Sequence, residues 1–289
     1  MKIRGYERIV LATDGSAQAA AAVGVTRSFA HSSGARVRVV HVWNLEVHHR
    51  HGVWDVETRA EANRLIDETV YELRAGGIDA DGEIVRAEKG LLASAVAGAA
   101  RQFGADLVVV GSRGLSEWQS MIKHSTSHEL LGKLDCPVLV VRSNSSAAAH
   151  DAQRVLLAVA GPEDMPTAVE AAIAAAAAAG SEVMVAHVRQ SYVGAQGFAF
   201  VEPEQDIRST VTQAVSRLKD AGITAQSVIA HAGPVAQSVA ELAANWNADV
   251  IVLGSSRMGD FESLLLGSVT HQLLRTSDKP VLVAERRRS

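Results

Sequence analysis

Ala105–Ser125, ADLVVVGSRGLSEWQSMIKHS, and Ala248–Ser268, ADVIVLGSSRMGDFESLLLGS, are near-copies of one another. Each opens with an aliphatic run of strand length, passes through a loop holding glycine, and ends on a serine placed to cap a helix. That order is the layout of a phosphate-binding site. Glycine lets backbone N–H groups approach an anion, and the helix N-terminus favours negative charge. The two copies depart from each other at specific places. The first keeps Gly111 and Gly114 but has His124 directly before Ser125. The second keeps Gly254, Gly267 and Ser268 but has Arg257 where the second glycine would fall.

The duplication extends outward over nearly the whole chain. Ala105 and Ala248, Gly90 and Gly233, and Pro137 and Pro280 are separated by the same 143 positions. Ile9 and Val155, and His41 and His187, are separated by 146, so a few single-residue insertions and deletions lie between. A period of this length reads as domain duplication rather than as a solenoid repeat. SNSSAAAHDAQ (Ser143–Gln153) is small, polar and non-periodic, as linkers are. The expected division is residues 1–143 for the first domain, 144–151 for the linker and 152–289 for the second domain.

Within each half, aliphatic runs alternate with helical patterns. The first half gives strands at 8–13, 37–42, 82–86, 106–111 and 137–141, with helices at about 16–31, 56–75, 91–103 and from about 125. The second half repeats them as RVLLAV, EVMVAHV, SVIA, DVIVLG and PVLVA. Ser16 precedes the first helix, Pro234 falls at an early helical turn, and Ser125 and Ser268 are placed as N-caps. Continuous Val/Ile/Leu strands interleaved with helices require a parallel sheet covered on both faces. The expected fold is therefore α/β: two Rossmann-like domains, each a five-stranded parallel sheet sandwiched by helices, related by a pseudo-twofold axis.

Composition narrows the function. The 289 residues are 47% apolar and 21% charged with a net charge of −4, which argues against nucleic acid as the main partner. The alanine run Ala171–Ala179 is about half of what a membrane span needs, and no apolar leader precedes the first strand. Cys136 is the single cysteine, which excludes an intrachain disulfide and fits a reducing compartment. A cytoplasmic location is expected. Ligands of such sheets bind beyond the carboxyl ends of the strands, where strand order reverses. Asp14, in TDGS after strand one, projects from that edge and could hold a divalent metal or a ribose hydroxyl.

Taken together, ATDGS, VHVW and AHVR ending the second strands, VVVGSRG and IVLGSSR ending the fourth, and CPVLVV and KPVLVA closing each half resemble a tandem universal stress protein. The chain is similar to the ATP-binding branch of that family, with its G-x2-G-x9-G-[S/T] motif in altered form. The resemblance implies adenine-nucleotide binding, with Mg possible, by Asp14, Val42, Gly111, Gly114 and Ser125 in the first half. In the second half it carries over to Val188, Gly254, Gly267 and Ser268, a weaker set because Ala160 stands where the Asp would be. His124 and Arg257 would each block the phosphates or pair with them. The resemblance also implies pairing of domains through their last strands; the halves are expected to pair within the chain, and two chains to form a homodimer.

Other candidates carry less. His48, His49 and His51 could ligate a transition metal, but no acidic or cysteine partner is near, and the second half's SYVGAQG has no histidine, so a solvated loop is the plainer reading. His124 and His128 have helical ligand spacing, yet only His128 has a repeat partner, His271, which favours a capping role. His41 and His187 read as hydrogen-bonded structural residues, Cys136 as a buried thiol, and Trp43, Trp54, Trp118 and Trp246 as packing anchors. The basic tail after Glu285 reads as a solvated end. No catalytic signature is present: no GxxxxGK[ST], G-x-S-x-G or HExxH. Three readings follow: a nucleotide-sensing regulatory module, a nucleotide-free scaffold that keeps the fold, and a slow ATPase acting through Asp14 and a metal.

Overall fold

A computed structural model describes residues 4–16, 19–48, 52–55, 58–88, 91–111, 133–142, 153–177, 181–194, 197–200, 203–231, 233–254 and 268–284. Gly114, His124, Ser125, Arg257 and Gly267 lie outside the described residues, as do His49, His51, His128, Trp118, residues 144–151 and the basic tail. The chain divides into two compact units, one built on Tyr6–Ala149 and the other on His150–Arg286.

The first unit contains strands β1 (Arg8–Ala12), β2 (Arg36–His48), β3 (Gly52–Asp55), β4 (Ala80–Glu88), β5 (Leu107–Gly111) and β6 (Val138–Val141). Its helices among the described residues are α1 (Ala19–Ser33), α2 (Arg59–Ala75) and α3 (Leu92–Phe103). Five strands run parallel in the order β4-β2-β1-β5-β6, with Leu11 opposite both Val39 and Val109. The chain moves outward from β1 through β2 to β4, then crosses to β5 on the other side of β1. The order therefore reverses between β1 and β5.

The second unit repeats this with β7 (Arg154–Ala158), β8 (Glu182–Arg189), β11 (Thr224–His231), β12 (Val250–Gly254) and β13 (Val281–Ala284). Its helices are α4 (Met165–Ala175), α5 (Glu204–Asp220), α6 (Val235–Asn245) and α7 (Ser268–Thr276). The parallel order is β11-β8-β7-β12-β13, and the reversal falls between β7 and β12. The expected α/β architecture with a parallel sheet in each half is what the structure has.

The strands form because their side chains are buried on both faces. Ile9, Leu11, Leu107 and Leu139 in the first unit, and Leu156, Leu157 and Ile251 in the second, are fully enclosed. Each such burial stabilises by roughly 1.5–3 kcal/mol. Helix α2 covers its sheet with a single stripe, Ala62, Ile66, Thr69, Val70 and Leu73, and begins with a capping box. In that box the Glu61 N–H donates to Thr58 Oγ1 at 3.2 Å and the Thr58 N–H donates to Glu61 Oε2 at 2.7 Å. The Thr58 N–H and, at 2.8 Å, the Thr58 Oγ1–H both donate to Glu61 Oε2, and they hold the exposed Glu61 carboxyl below its ordinary range.

Three framework devices occur in both units. Asp106, just before β5, accepts the N–H groups of Glu7 and Arg8 at 2.7 and 2.9 Å; Asp249 accepts those of Gln153 and Arg154 at 2.9 and 2.8 Å. Each carboxylate thus ties the start of one central strand to its neighbour. Gly104 ends α3 in the left-handed region at φ 67°, and Asn247 does the same after α6 at φ 53°. Asparagine is the next residue after glycine to tolerate that conformation, so the substitution preserves the stop signal. The third device is a pair of buried histidines, His41 and His187.

The structure departs from the sequence reading beside the second strands. The segment around His48, expected as a solvated loop, is strand: β2 runs on to His48 and pairs antiparallel with β3, Leu45 opposite Asp55. Its counterpart around SYVGAQG forms a separate antiparallel hairpin of β9 (Ser191–Gly194) and β10 (Gly197–Phe200). The parallel β2 ladder continues into a two-stranded ribbon, and the histidine run hid that four-residue return. The described part of α1 begins at Ala19, whose N–H donates to the Ser16 carbonyl at 2.8 Å.

Candidate functional site

The reversal points place two crevices at the carboxyl ends of the central strands, between β1 and β5 and between β7 and β12. In the first unit the strand β1 passes into Thr13-Asp14-Gly15-Ser16. The Thr13 N–H donates to the Val40 carbonyl at 3.0 Å, and His41 Nδ1–H donates to the Thr13 carbonyl at 2.9 Å. His41 is buried, so this bond fixes the loop to the end of β2. The turn that follows is closed by side chains. Asp14 Oδ1 accepts the Ser16 N–H at 3.0 Å, and Thr13 Oγ1 accepts the Gly15 N–H at 3.2 Å. Such bonds are how Asp and Thr impose turns.

Gly15 is required there on two counts. Its φ is +73°, and a Cβ would stand 2.7 Å from Leu65 Cδ1 of α2. The loop is thus pressed against α2 while Asp14 remains exposed at the edge. Gly111, at the end of β5, and Val42, at the end of the β2 segment facing this crevice, are half-buried. Three of the five first-half candidates, Asp14, Val42 and Gly111, therefore stand on neighbouring strand ends. Trp43 follows Val42 and stacks with Arg86, whose guanidinium lies 4.5 Å from the ring centroid.

The second unit keeps the histidine and changes the rest. The Val159 N–H donates to the Ala186 carbonyl at 3.0 Å, and buried His187 donates Nδ1–H to the Val159 carbonyl at 2.9 Å. The hydrogen bonds expected of His41 and His187 are thus the same bond made twice. After it the loop reads Val159-Ala160-Gly161-Pro162. A Cβ on Gly161 would meet nothing within 4 Å, so no close approach of α5 constrains this turn.

A cavity of about 360 Å³ opens at this reversal point. Its floor is the strand ends: Ala158 and Val159 of the β7 end, Ala186 and Val188 of β8, and Leu253 and Gly254 of β12. Its walls come from helix starts: Met165 and Ala168 of α4, Val235 and Val239 of α6, and Val269 and Thr270 of α7. Val188 and Gly254, two of the four second-half candidates, are brought together here. Ser268 is the first described residue of α7, one position before the wall residue Val269. The volume falls within the range of roughly 300–1,000 Å³ found for small-molecule sites, and the mostly apolar lining with few polar groups matches them.

Sequence reasoning missed three polar residues of this cavity: Asp164, Gln190 and Thr270. Asp164 matters most. Ala160 occupies the position aligned with Asp14, yet a carboxylate reaches the same edge from four residues later. Asp164 sits at the N-terminus of α4, which has proline in its first turn, and its side chain does not cap that helix. Gly254 makes room for it, since a Cβ at 254 would stand 2.7 Å from Asp164 Cβ and 3.1 Å from its carbonyl oxygen. The signal was present as an Asp shortly before Pro166, a helix-start pattern, but an alignment at fixed offset looks only at position 160. Among the described residues that line the cavity there is no lysine or arginine. Among the described residues no group of three His, Cys, Asp or Glu could hold a metal ion.

A sequence model of the universal stress protein family matches residues 5–142 and again 152–285. The chain belongs to the universal stress protein family. It is 25% identical to a universal stress protein of Mycobacterium tuberculosis over 98% of each chain. It is 27% identical to one from Mycolicibacterium smegmatis over 187 residues, a match that spans 63% of either protein. Among solved structures, a universal stress protein from Archaeoglobus fulgidus superposes with a TM-score of 0.69 at 20% identity, covering 99% of this chain and 98% of that one. That likeness is one of fold. The family resemblance read from the motifs thus holds for both halves of this universal stress protein. No described helix is long and apolar enough to cross a membrane.

Proposed function

We propose that this universal stress protein is a regulatory module that binds an adenine nucleotide at the reversal points of its two sheets. The supporting observation is the 360 Å³ cavity of the second unit, formed where Val188 and Gly254 meet the start of the helix that Ser268 opens. Adenine is flat and largely apolar and suits walls of Val, Met and Ala. A phosphate suits the N-terminal turn of a helix, whose first N–H groups have no partner within the helix. The first unit offers the other edge, with Asp14, Val42 and Gly111 as the residues that would face the nucleotide.

The test is equilibrium dialysis of the full chain with AMP and with ATP, each with and without magnesium, alongside analysis of nucleotide released when freshly purified protein is denatured. Saturable binding below millimolar concentration is expected. Absence of binding for every nucleotide at millimolar concentration, with none carried through purification, overturns the reading in favour of a nucleotide-free scaffold.

A further inference from the structure

The glycine–serine motif ends at Ser268, yet the cavity of the second unit is lined beyond it by a second hydroxyl, that of Thr270. We propose that Thr270 is a phosphate-binding residue of this cavity: its hydroxyl donates to the phosphate group held at the first described turn of α7. The inference rests on the nucleotide reading above and adds to it a residue that the motif does not assign.

Burial and hydrogen bonding single Thr270 out. It is only 6% exposed, and it lines the cavity together with Val269 and Gly254. A threonine inside a helix can satisfy its hydroxyl by donating to the carbonyl four residues back. Thr26 does so to Ala22 at 2.7 Å, Thr69 to Leu65 at 2.9 Å, and Thr276, in α7 itself, to Gln272 at 2.8 Å. Thr270 makes no such bond. It stands in the first described turn of α7, and its hydroxyl bonds to no described residue. Buried hydroxyls are rarely left without a partner, because the lost hydration is not repaid. A molecule in the cavity is the partner that the position offers.

The chemistry of that partner follows from the turn. A phosphate placed there by the nucleotide reading presents acceptor oxygens, and Thr270 supplies an O–H donor beside the backbone N–H groups of Ser268 and Val269. At the 143 offset Thr270 corresponds to Ser127, so the first half also has a hydroxyl two residues past its motif serine, outside the described residues.

Titration of the full chain, methyl-labelled at valine and leucine, with AMP and with adenosine tests this. Affinities are read from the Leu253 and Val269 methyl shifts, so that binding at the first unit does not enter. Thr270→Val keeps the shape of the side chain and removes the hydroxyl. It should weaken AMP about tenfold, the scale of one hydrogen bond to a charged group, while leaving adenosine within about twofold. Thr270→Ser, which keeps the hydroxyl, should hold AMP within about threefold of the wild-type chain. Because the hydroxyl has no described protein partner, ligand-free Thr270→Val should melt no lower than wild type. A markedly lower melting temperature, equal losses for AMP and adenosine, unchanged AMP affinity, or a Ser variant as weak as the Val variant overturns the role of Thr270 while leaving nucleotide binding intact. A wild-type chain whose second-unit methyls respond to neither ligand overturns both.

Discussion

Thr13-Asp14-Gly15-Ser16 and Val159-Ala160-Gly161-Pro162 occupy the same place in two copies of one fold, and almost everything about them has diverged except how they are held. Both are tied to the end of the second strand by a buried histidine whose Nδ1–H reaches the first loop carbonyl at 2.9 Å. Both halves also keep the aspartate that pins the start of the first strand. What changed is the outward chemistry. The first loop is stiffened by side-chain bonds, pressed onto α2 and acidic at Asp14, whereas the second is apolar and open. Divergence between the two halves has therefore run through the loops at the strand ends and spared the frame.

The sharpest way to break this comparison is through the histidines. His41→Phe and His187→Phe should each destabilise their own unit by about 2 kcal/mol, because each leaves a buried carbonyl without its donor. Denaturant unfolding of the two variants should show similar losses. A large loss at one histidine and none at the other would mean that the shared bond does not play a shared part.

Glycine substitutions should separate the two loops. Gly15→Ala is expected to cost about 1–2 kcal/mol from its positive φ, with some further cost as the Leu65 side chain shifts. Gly161→Ala should change stability by no more than about 0.5 kcal/mol, since its Cβ would point into open space. Thermal melts of the pair read this directly. Equal losses would remove the claim that only the first loop is pressed against its helix.

The smallest effect concerns the outer strands. Arg38 donates to Asp81 at 2.6 and 2.9 Å, and Arg36 adds a third bond at 2.8 Å. The bond from Arg38 first, and the charges of Arg38 and Arg36 after it, hold the Asp81 carboxyl below its usual range against the opposing effect of burial. Its folded value is depressed, so its contribution to stability is complete above the unfolded carboxylate value of about 3.9 and is lost as pH falls through the folded value. Asp81→Asn should cost up to about 1 kcal/mol at pH 7 and nothing in strong acid. A difference that grew as the pH was lowered would contradict the pairing.

Much of the fold was legible because it is written in aliphatic runs. RIVLA, LVVVG, VIVLG and the closing PVLVV and PVLVA stand within a residue or two of the strands they became. The repeat offset located one histidine from the other and thereby exposed the shared clasp. The ribbons after β2 and β8 were not legible. Strand β3 is only Gly52–Asp55, too short for alternation to show, and the neighbouring histidines looked like solvated loop. Asp164 was missed for a different reason. A repeat alignment compares equivalent positions, whereas space at a sheet edge can be filled from any segment that ends there. Proximity of residue 164 to Gly254 is a fact of packing between α4 and β12, and no spacing along the chain reports it.

The central claim is that the reversal point of the second unit is a nucleotide site. Methyl-resolved NMR of the full chain, labelled at valine and leucine and titrated with AMP, tests it most directly. The account predicts saturable shifts confined chiefly to Val159, Val188, Val235, Val239, Leu253 and Val269 in that unit, with Val42 as the corresponding reporter in the first. Saturable binding that leaves these methyls unmoved would contradict it, as would the absence of any shift at millimolar AMP.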